Sequence, residues 1–247
     1  MSIAALQLGS NVEQPNEDVI VAGGFTLPTG LYAMIVQNAY LDKTSTGAMM
    51  MHLHLKRKTG GNQVYRFSDC IVSGDTKGNK PTYIKDGKEF PLPGYSKMNQ
   101  ICQITTGLTL GQITPEKKLI KLYDFDAKAE VPREVPVVTE MVGQEILVGL
   151  QLRRENKRAR QNGKWIDTND TREFNEIDKI FYPDGFTVTE KKAEATEAGF
   201  VEKWRAANPD GQVIDKFKAV AGAPAGKSAA GAPASTAAAA PDDLFAD

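Results

Sequence analysis

Between residues 30 and 72 the sequence holds three strand-length runs separated only by short, glycine-containing turns. They are Leu31–Leu41 (LYAMIVQNAYL), Ala48–Lys58 (AMMMHLHLKRK) and Val64–Val72 (VYRFSDCIV). Lys43-Thr44-Ser45-Thr46-Gly47 and Gly60-Gly61-Asn62 supply the turns. Connections this short force neighbouring strands to pair antiparallel, because a parallel pair needs a crossover of a dozen residues or more. An antiparallel meander of three strands is the usual opening of a small β-barrel.

The segments after residue 72 fit that opening. Ser73–Tyr95 is a basic, glycine-rich insertion. Ser96–Leu108 spaces Met98, Ile101, Cys102 and Ile104 as a short helix does, with Ser96 as the expected N-cap. Lys117–Phe125 and Gln144–Arg154 read as two more strands. Five strands with a helix after the third is the OB order. The expected fold is therefore mainly β, an OB-like five-stranded antiparallel barrel with an inserted helix. Arg153–Lys164 is expected as an exposed hairpin loop leading to Trp165 and Ile166, Glu173–Phe181 as a strand outside the barrel, and Lys191–Ala207 as a helix packing through Ala195, Phe200, Val201 and Trp204.

The expected organisation is an N-terminal arm over 1–28, the barrel domain over 29–190, a helical extension over 191–218, a linker over 219–241 and a tip over 242–247. The linker is almost wholly Ala, Gly, Pro and Ser. Such a composition buries too little apolar surface to offset ordering entropy, so disorder is expected. The tip is acidic and apolar together: Asp242, Asp243, Leu244, Phe245, Ala246, Asp247.

Net charge is -1 and the pI about 6.2, which taken alone argues against a polyanion as partner. Charge is segregated along this chain, however, so the local pattern decides. Cys70 and Cys102 both lie in apolar stretches and read as buried reduced thiols. No signal peptide and no apolar run of roughly 20 residues is present, so a soluble cytoplasmic protein is expected. No phosphate-binding loop and no GxSxG occurs, and there are two histidines in all. His52 and His54 form an HxH without a third ligand nearby. Asp124, Asp126 and Glu130 read as an acidic strand-end turn rather than a two-metal centre. No enzyme activity, cofactor or metal is expected.

Binding candidates come from basic residues interleaved with aromatics. In the second strand, alternation puts Met49, Met51, Leu53 and Leu55 on a core face, and Met50, His52, His54, Lys56 and Lys58 on the other. In the third, Tyr65 and Phe67 share a face with Arg66 opposite. The two rings fit either base stacking or the core. Two basic loops complete the set: Lys77, Lys80, Tyr83, Lys85 and Lys88, with Phe90 nearby, and Arg153, Arg154, Lys157, Arg158, Arg160 and Lys164, followed by Trp165. Rings on a basic surface suit sequence-tolerant binding of single strands, since every base has a π-face. In the tip, Leu244 and Phe245 offer a partner an apolar anchor, and Asp242, Asp243 and Asp247 favour a basic rim.

Several segments together resemble the OB-fold single-stranded DNA-binding proteins encoded by bacteriophages. They are Lys85-Asp86-Gly87-Lys88 through Pro91-Leu92-Pro93-Gly94, Thr106-Gly107, Lys121-Leu122-Tyr123-Asp124, Val135-Pro136-Val137-Val138-Thr139 and Asn175-Glu176-Ile177-Asp178-Lys179-Ile180-Phe181. The resemblance implies coating of single strands in replication, recombination and repair, in the host cytoplasm. The tip is similar to the acidic tips of bacterial single-stranded DNA-binding proteins, which recruit replication enzymes. It departs from them in continuing past Phe245 to Ala246 and Asp247. Expected partners are single-stranded DNA and, through the tip, replication or recombination proteins, with no membrane. The oligomeric state stays open. A strand-annealing recombination protein and a tail-only adaptor are the competing readings.

Overall fold

The structure is a computed structural model that describes residues 26–61, 63–124, 127–161 and 163–220. Most of the N-terminal arm and of the linker, the whole tip, and Asp126 of the acidic turn lie outside the described residues.

The meander forms as expected: β1 (Gly30–Lys43), β2 (Met49–Arg57) and β3 (Val64–Val72) pair antiparallel in order. Met51, Leu53 and Leu55 are fully buried in the main core with Met34 and Val36 of β1. The expected loop 73–95 contains a small hairpin of its own, β4 (Thr82–Lys85) with β5 (Lys88–Pro91), turning at Asp86-Gly87. Helix α1 (Pro93–Thr106) starts earlier than expected. Pro93 occupies its first turn and Leu92 the cap, with no side-chain capping bond, and Ser96 lies inside the helix. Proline's fixed φ suits a first helical position, which is why the helix begins there. The helix lies so close to β3 that a side chain at Gly94 would sit 2.4 Å from the Cys70 carbonyl oxygen.

After α1 comes a hairpin of β6 (Glu116–Asp124) and β7 (Ala129–Val137). Sequence reading misses β7, which carries Pro132 and Pro136. They are tolerated because β7 is paired along its length only with β6 and meets β1 at one position, Tyr40 opposite Val137. Two long strands then follow, β8 (Glu145–Gln161) and β9 (Lys164–Phe181). Along one edge β8 pairs with β1 over 145–150, and then with the short parallel β10 (Val213–Asp215) over 152–154. Along its other edge β9 runs the whole way out. The expected hairpin loop 153–164 is thus the outer part of a longer two-stranded arm, and the expected outlying strand 173–181 is the base of β9.

The expected C-terminal helix is two helices, α2 (Val188–Lys192) and α3 (Gly199–Ala207). Glu190 decides the break. Its carboxylate completes a capping box with Thr187 and also accepts the Phe200 N–H, 2.8 Å away, at the start of α3. Ala195 therefore falls in the exposed connection. Val201 and Trp204 are buried against Phe181 as expected. Trp204 packs against Gly149 of β8, where a Cβ would come within 2.8 Å of the ring, and its indole N–H donates to Asp178 at 2.7 Å.

The fold is thus mainly β and antiparallel, with three α-helices among the described residues. Strand pairing among the described residues does not close into a barrel. The path runs β10-β8-β1-β2-β3, with β9 on the far edge of β8, and α1 packs on both β3 and β9. No described helix is long and apolar enough to cross a membrane. Both cysteines are free thiols, Cys102 buried and Cys70 half-buried.

Candidate nucleic-acid interface

The expected binding face of β2 is occupied by the protein itself. Tyr40 of β1 stacks on His52, with ring centroids 4.7 Å apart, and meets His54 edge-on. Tyr40 also joins Leu122, Val135 and Val137 of the β6–β7 hairpin in a second, smaller core. His54 is only 8% exposed, and burial with the nearby Arg66 and His52 charges pushes its pKa down to about 4. Lys56 is half-buried on this face. Lys58 pairs with Glu145 at 2.7 Å, and Arg66 with Glu130 of β7 at 3.6 Å. Tyr65 and Phe67 take the other alternative left open by the sequence. They stand opposite Leu55 and Leu53 and pack, partly exposed, against the main core.

The β4–β5 hairpin is different. Tyr83 is opposite Phe90 and Lys85 opposite Lys88. Strand alternation places all four on one face, with Thr82, Ile84, Glu89 and Pro91 on the other. The two rings lie 5.9 Å apart, tilted, and are 41% and 40% exposed. Lys77 and Lys80 are exposed in the approach to this hairpin. Glu89 is turned to Thr82, at 2.5 Å. None of the four lysines makes an ion pair among the described residues. Like charges directly across a strand pair are unfavourable. Two unpaired ammonium groups beside two exposed rings form a face suited to an external anion that carries flat, stackable groups.

The arm divides its cations into two groups. Arg153 pairs with Glu176 at 2.5 Å, Arg154 with Glu173 at 2.7 Å and Asp215 at 3.6 Å, and Arg158 with Asp167 at 2.9 Å. Arg172 pairs back to Glu155. These arginines zip the ribbon across its strands, so Arg153, Arg154 and Arg158, among the cations expected to meet DNA, carry carboxylate partners within the fold. Three of these carboxylates come from β9 and Asp215 from β10, strands that sequence reading had not aligned with the arginines. Lys157, Arg160 and Lys164 have no such partner among the described residues and are exposed. Arg160 is opposite Trp165, which is 65% exposed at the tip, and Ile166 follows at 40%.

Three asparagines anchor chain segments to β8 and β9 by their backbones. Asn156 Nδ2 donates to the Lys218 carbonyl (2.7 Å) while its Oδ1 accepts the Lys218 N–H (2.9 Å). Asn169 holds Val220 in the same two-point way, at 3.2 and 2.8 Å. Asn175 holds Leu27 with both bonds at 2.7 Å. Sequence reading missed these residues, because an asparagine in a strand carries no signal of what it will bond. The clamps thus tie Lys218 and Val220 to β8 and β9. The β6–β7 hairpin adds candidates that were also missed. Leu119, 71% exposed, lies between Lys117 and Lys121 on the outer face of β6, and alternation in KKLIKLYD was the available signal.

Asp242, Asp243, Leu244, Phe245 and Asp247 lie outside the described residues. Among the described residues, no three His, Cys, Asp or Glu side chains gather as a metal site would require. Comparison with known protein families and with curated proteins gave no match.

Proposed function

We propose that this protein binds and coats single-stranded DNA without sequence specificity and without catalysis, in the manner of the phage proteins it resembles, during DNA replication, recombination and repair. The observation that carries the reading is the Tyr83–Phe90, Lys85–Lys88 face, where exposed rings and unneutralised cations share one side of a hairpin. The arm tip repeats the combination with Trp165, Arg160 and Lys164. Ring stacking on bases contributes about 1–3 kcal/mol each and tolerates any sequence. The long helix α1 is packed on β3 and β9 rather than standing out to enter a major groove. Element order supports an opened OB-like arrangement: the β1–β3 meander, then α1, then β8–β9 with β8 on β1. The β6–β7 hairpin is an insertion in that order. The acidic tip, by this reading, recruits replication or recombination proteins through Leu244 and Phe245 and competes with DNA for the basic surface.

Fluorescence titration with single- and double-stranded oligonucleotides across salt tests the proposal. Single strands are expected to bind tighter. The log–log salt slope is bounded at about 5 if Lys77, Lys80, Lys85, Lys88, Lys157, Arg160 and Lys164 each neutralise a phosphate, at roughly 0.7 per contact. Equal affinity for duplex and single strand rejects the reading. Removing residues 242–247 is expected to raise single-strand affinity at low salt, with the gain fading as salt rises.

A further inference from the structure

Past β10 the residues 216–220 follow the arm without belonging to a strand. Their backbone is nonetheless held closely. The Lys216 N–H donates to the Arg154 carbonyl at 2.8 Å, and the Phe217 N–H donates to Asp215 Oδ1 at 2.8 Å. Asn156 and Asn169 then clamp Lys218 and Val220. Asn156 is itself fixed: it is 8% exposed and also donates to the Thr168 carbonyl at 2.7 Å. The side chains of the segment point elsewhere. Lys216 and Lys218 are exposed, Phe217 is 37% exposed, and all three line a cavity of about 660 Å³ shared with the arm. Phe217 is the one apolar residue of that lining among the described residues. The acids of the lining are engaged: Asp167 with Arg158 at 2.9 Å, Glu155 with Arg172, and Asp215 with the Phe217 N–H and with Arg154, which also serves Glu173. Lys216 and Lys218 make no ion pair among the described residues. Sequence reading assigned these residues to a helical extension.

We propose that Lys216, Phe217 and Lys218 form a further contact site for single-stranded DNA, in which the Phe217 ring stacks on a base and the flanking lysines meet phosphates. Asn156 is its positioning residue. The site rests on the DNA-binding reading and extends it to a segment outside the hairpin and the arm tip. The chemistry of the lining selects the ligand. An apolar peptide would find a single ring there, whereas a nucleotide brings one flat group with negative charge on either side of it. Stacking on a lone ring accepts any base, in keeping with binding that ignores sequence. The volume lies within the range that holds small ligands. Anchoring of the backbone matters because a segment already ordered loses little further freedom when a ligand arrives. Two lysines and a ring on an untethered chain would have to meet that ordering cost at each encounter.

Full-length variants titrated with a thymidine oligonucleotide test the site. Phe217→Ala is expected to weaken single-strand binding at least about five-fold with the salt slope unchanged. Lys216→Gln/Lys218→Gln is expected to lower the log–log salt slope by about 1.4, at roughly 0.7 per phosphate. All three side chains are exposed, so unfolding midpoints are expected to stay put. Asn156→Ala is expected to weaken binding as much as Phe217→Ala, and the two changes together no more than either alone. Additive losses would reject the positioning role, because a general loss of stability acts independently of the ring. Contact is read directly with 5-iododeoxyuridine in the oligonucleotide. Light-induced crosslinks are expected at Phe217, and in Asn156→Ala they are expected to vanish there while persisting at Trp165. Titrations of the Phe217 and lysine variants that match the unaltered chain overturn the proposal. So do crosslinks at Tyr83 or Trp165 with none at residues 216–218. The exposed-residue variants decide the matter even where Asn156→Ala fails to fold. If the unaltered chain itself shows no preference for single strands, the DNA-binding reading fails and this site falls with it. If it does prefer them and the variants match it, this site alone is rejected.

Discussion

The sheet body and the hairpins that stand off it use the same residue types for opposite purposes. In the body, Tyr65 and Phe67 pack on the core, Tyr40 seals a second core over His52 and His54, and Lys58 is tied to Glu145. On the β4–β5 hairpin and at the arm tip, Tyr83, Phe90 and Trp165 stand exposed beside cations that have no carboxylate partner among the described residues. The arm itself contains the contrast, with Arg158 paired to Asp167 and Arg160, two residues on and opposite Trp165, without an ion-pair partner among the described residues. An aromatic or a cation in a strand has no role of its own here. Its role depends on whether another strand covers its face and whether an acid lies across from it.

The comparison breaks first, if it is wrong, at Trp204. Replacing this buried ring by Ala removes its packing on Gly149 and Phe181 and leaves Asp178 without its donor. Chemical denaturation is expected to show a loss of about 3–5 kcal/mol. A loss under 1 kcal/mol would mean that the C-terminal helices are not part of the body. Next comes His54. Its folded pKa of about 4 lies below the ordinary value of 6.5, so between these pH values the unfolded chain binds the extra proton. Stability is therefore full above about pH 6.5 and declines as pH falls towards 4, by on the order of 3 kcal/mol. Denaturation midpoints from pH 7 to 4.5 check this, and His54→Phe is expected to flatten the profile. A smaller effect is expected at the rings of the hairpins. Tyr83→Ala, Phe90→Ala and Trp165→Ala are each expected to weaken single-strand binding by about 1–3 kcal/mol. Midpoints of unfolding and salt slopes should stay put. If Trp165→Ala unfolds the protein, the tip belongs to the body. Smallest is the pair in the arm. Arg158→Gln is expected to cost the fold at most about 1 kcal/mol, as for other exposed ion pairs, and to leave the salt slope alone. Arg160→Gln is expected to leave stability unchanged and to lower the slope by about 0.7. Equal slopes in the two variants would erase the division between zipped and free cations.

Local pattern settled what local physics controls. The apolar alternation of β2 and the glycine turns beside it determined the β1–β3 meander, because a one-residue slip would turn Met51, Leu53 and Leu55 to the wrong face. The spacing of Met98, Ile101 and Cys102 determined α1, although its start at Pro93 was missed in favour of Ser96. Val201 and Trp204 were legible as packing residues in the same way. Tertiary structure alone decided the rest, since it depends on partners distant in sequence. Whether the sheet closes depends on how β9, which pairs only with β8, and β3 are each placed against α1. Whether Arg153, Arg154 and Arg158 face solvent or a carboxylate depends on the register of β8 with β9, whose acids lie 9 to 23 residues further on. Whether the His52–His54 face is open depends on a β6–β7 hairpin that begins more than sixty residues later. Each of these is a pairing between segments whose own patterns are satisfied either way, and only the packed molecule chooses between them.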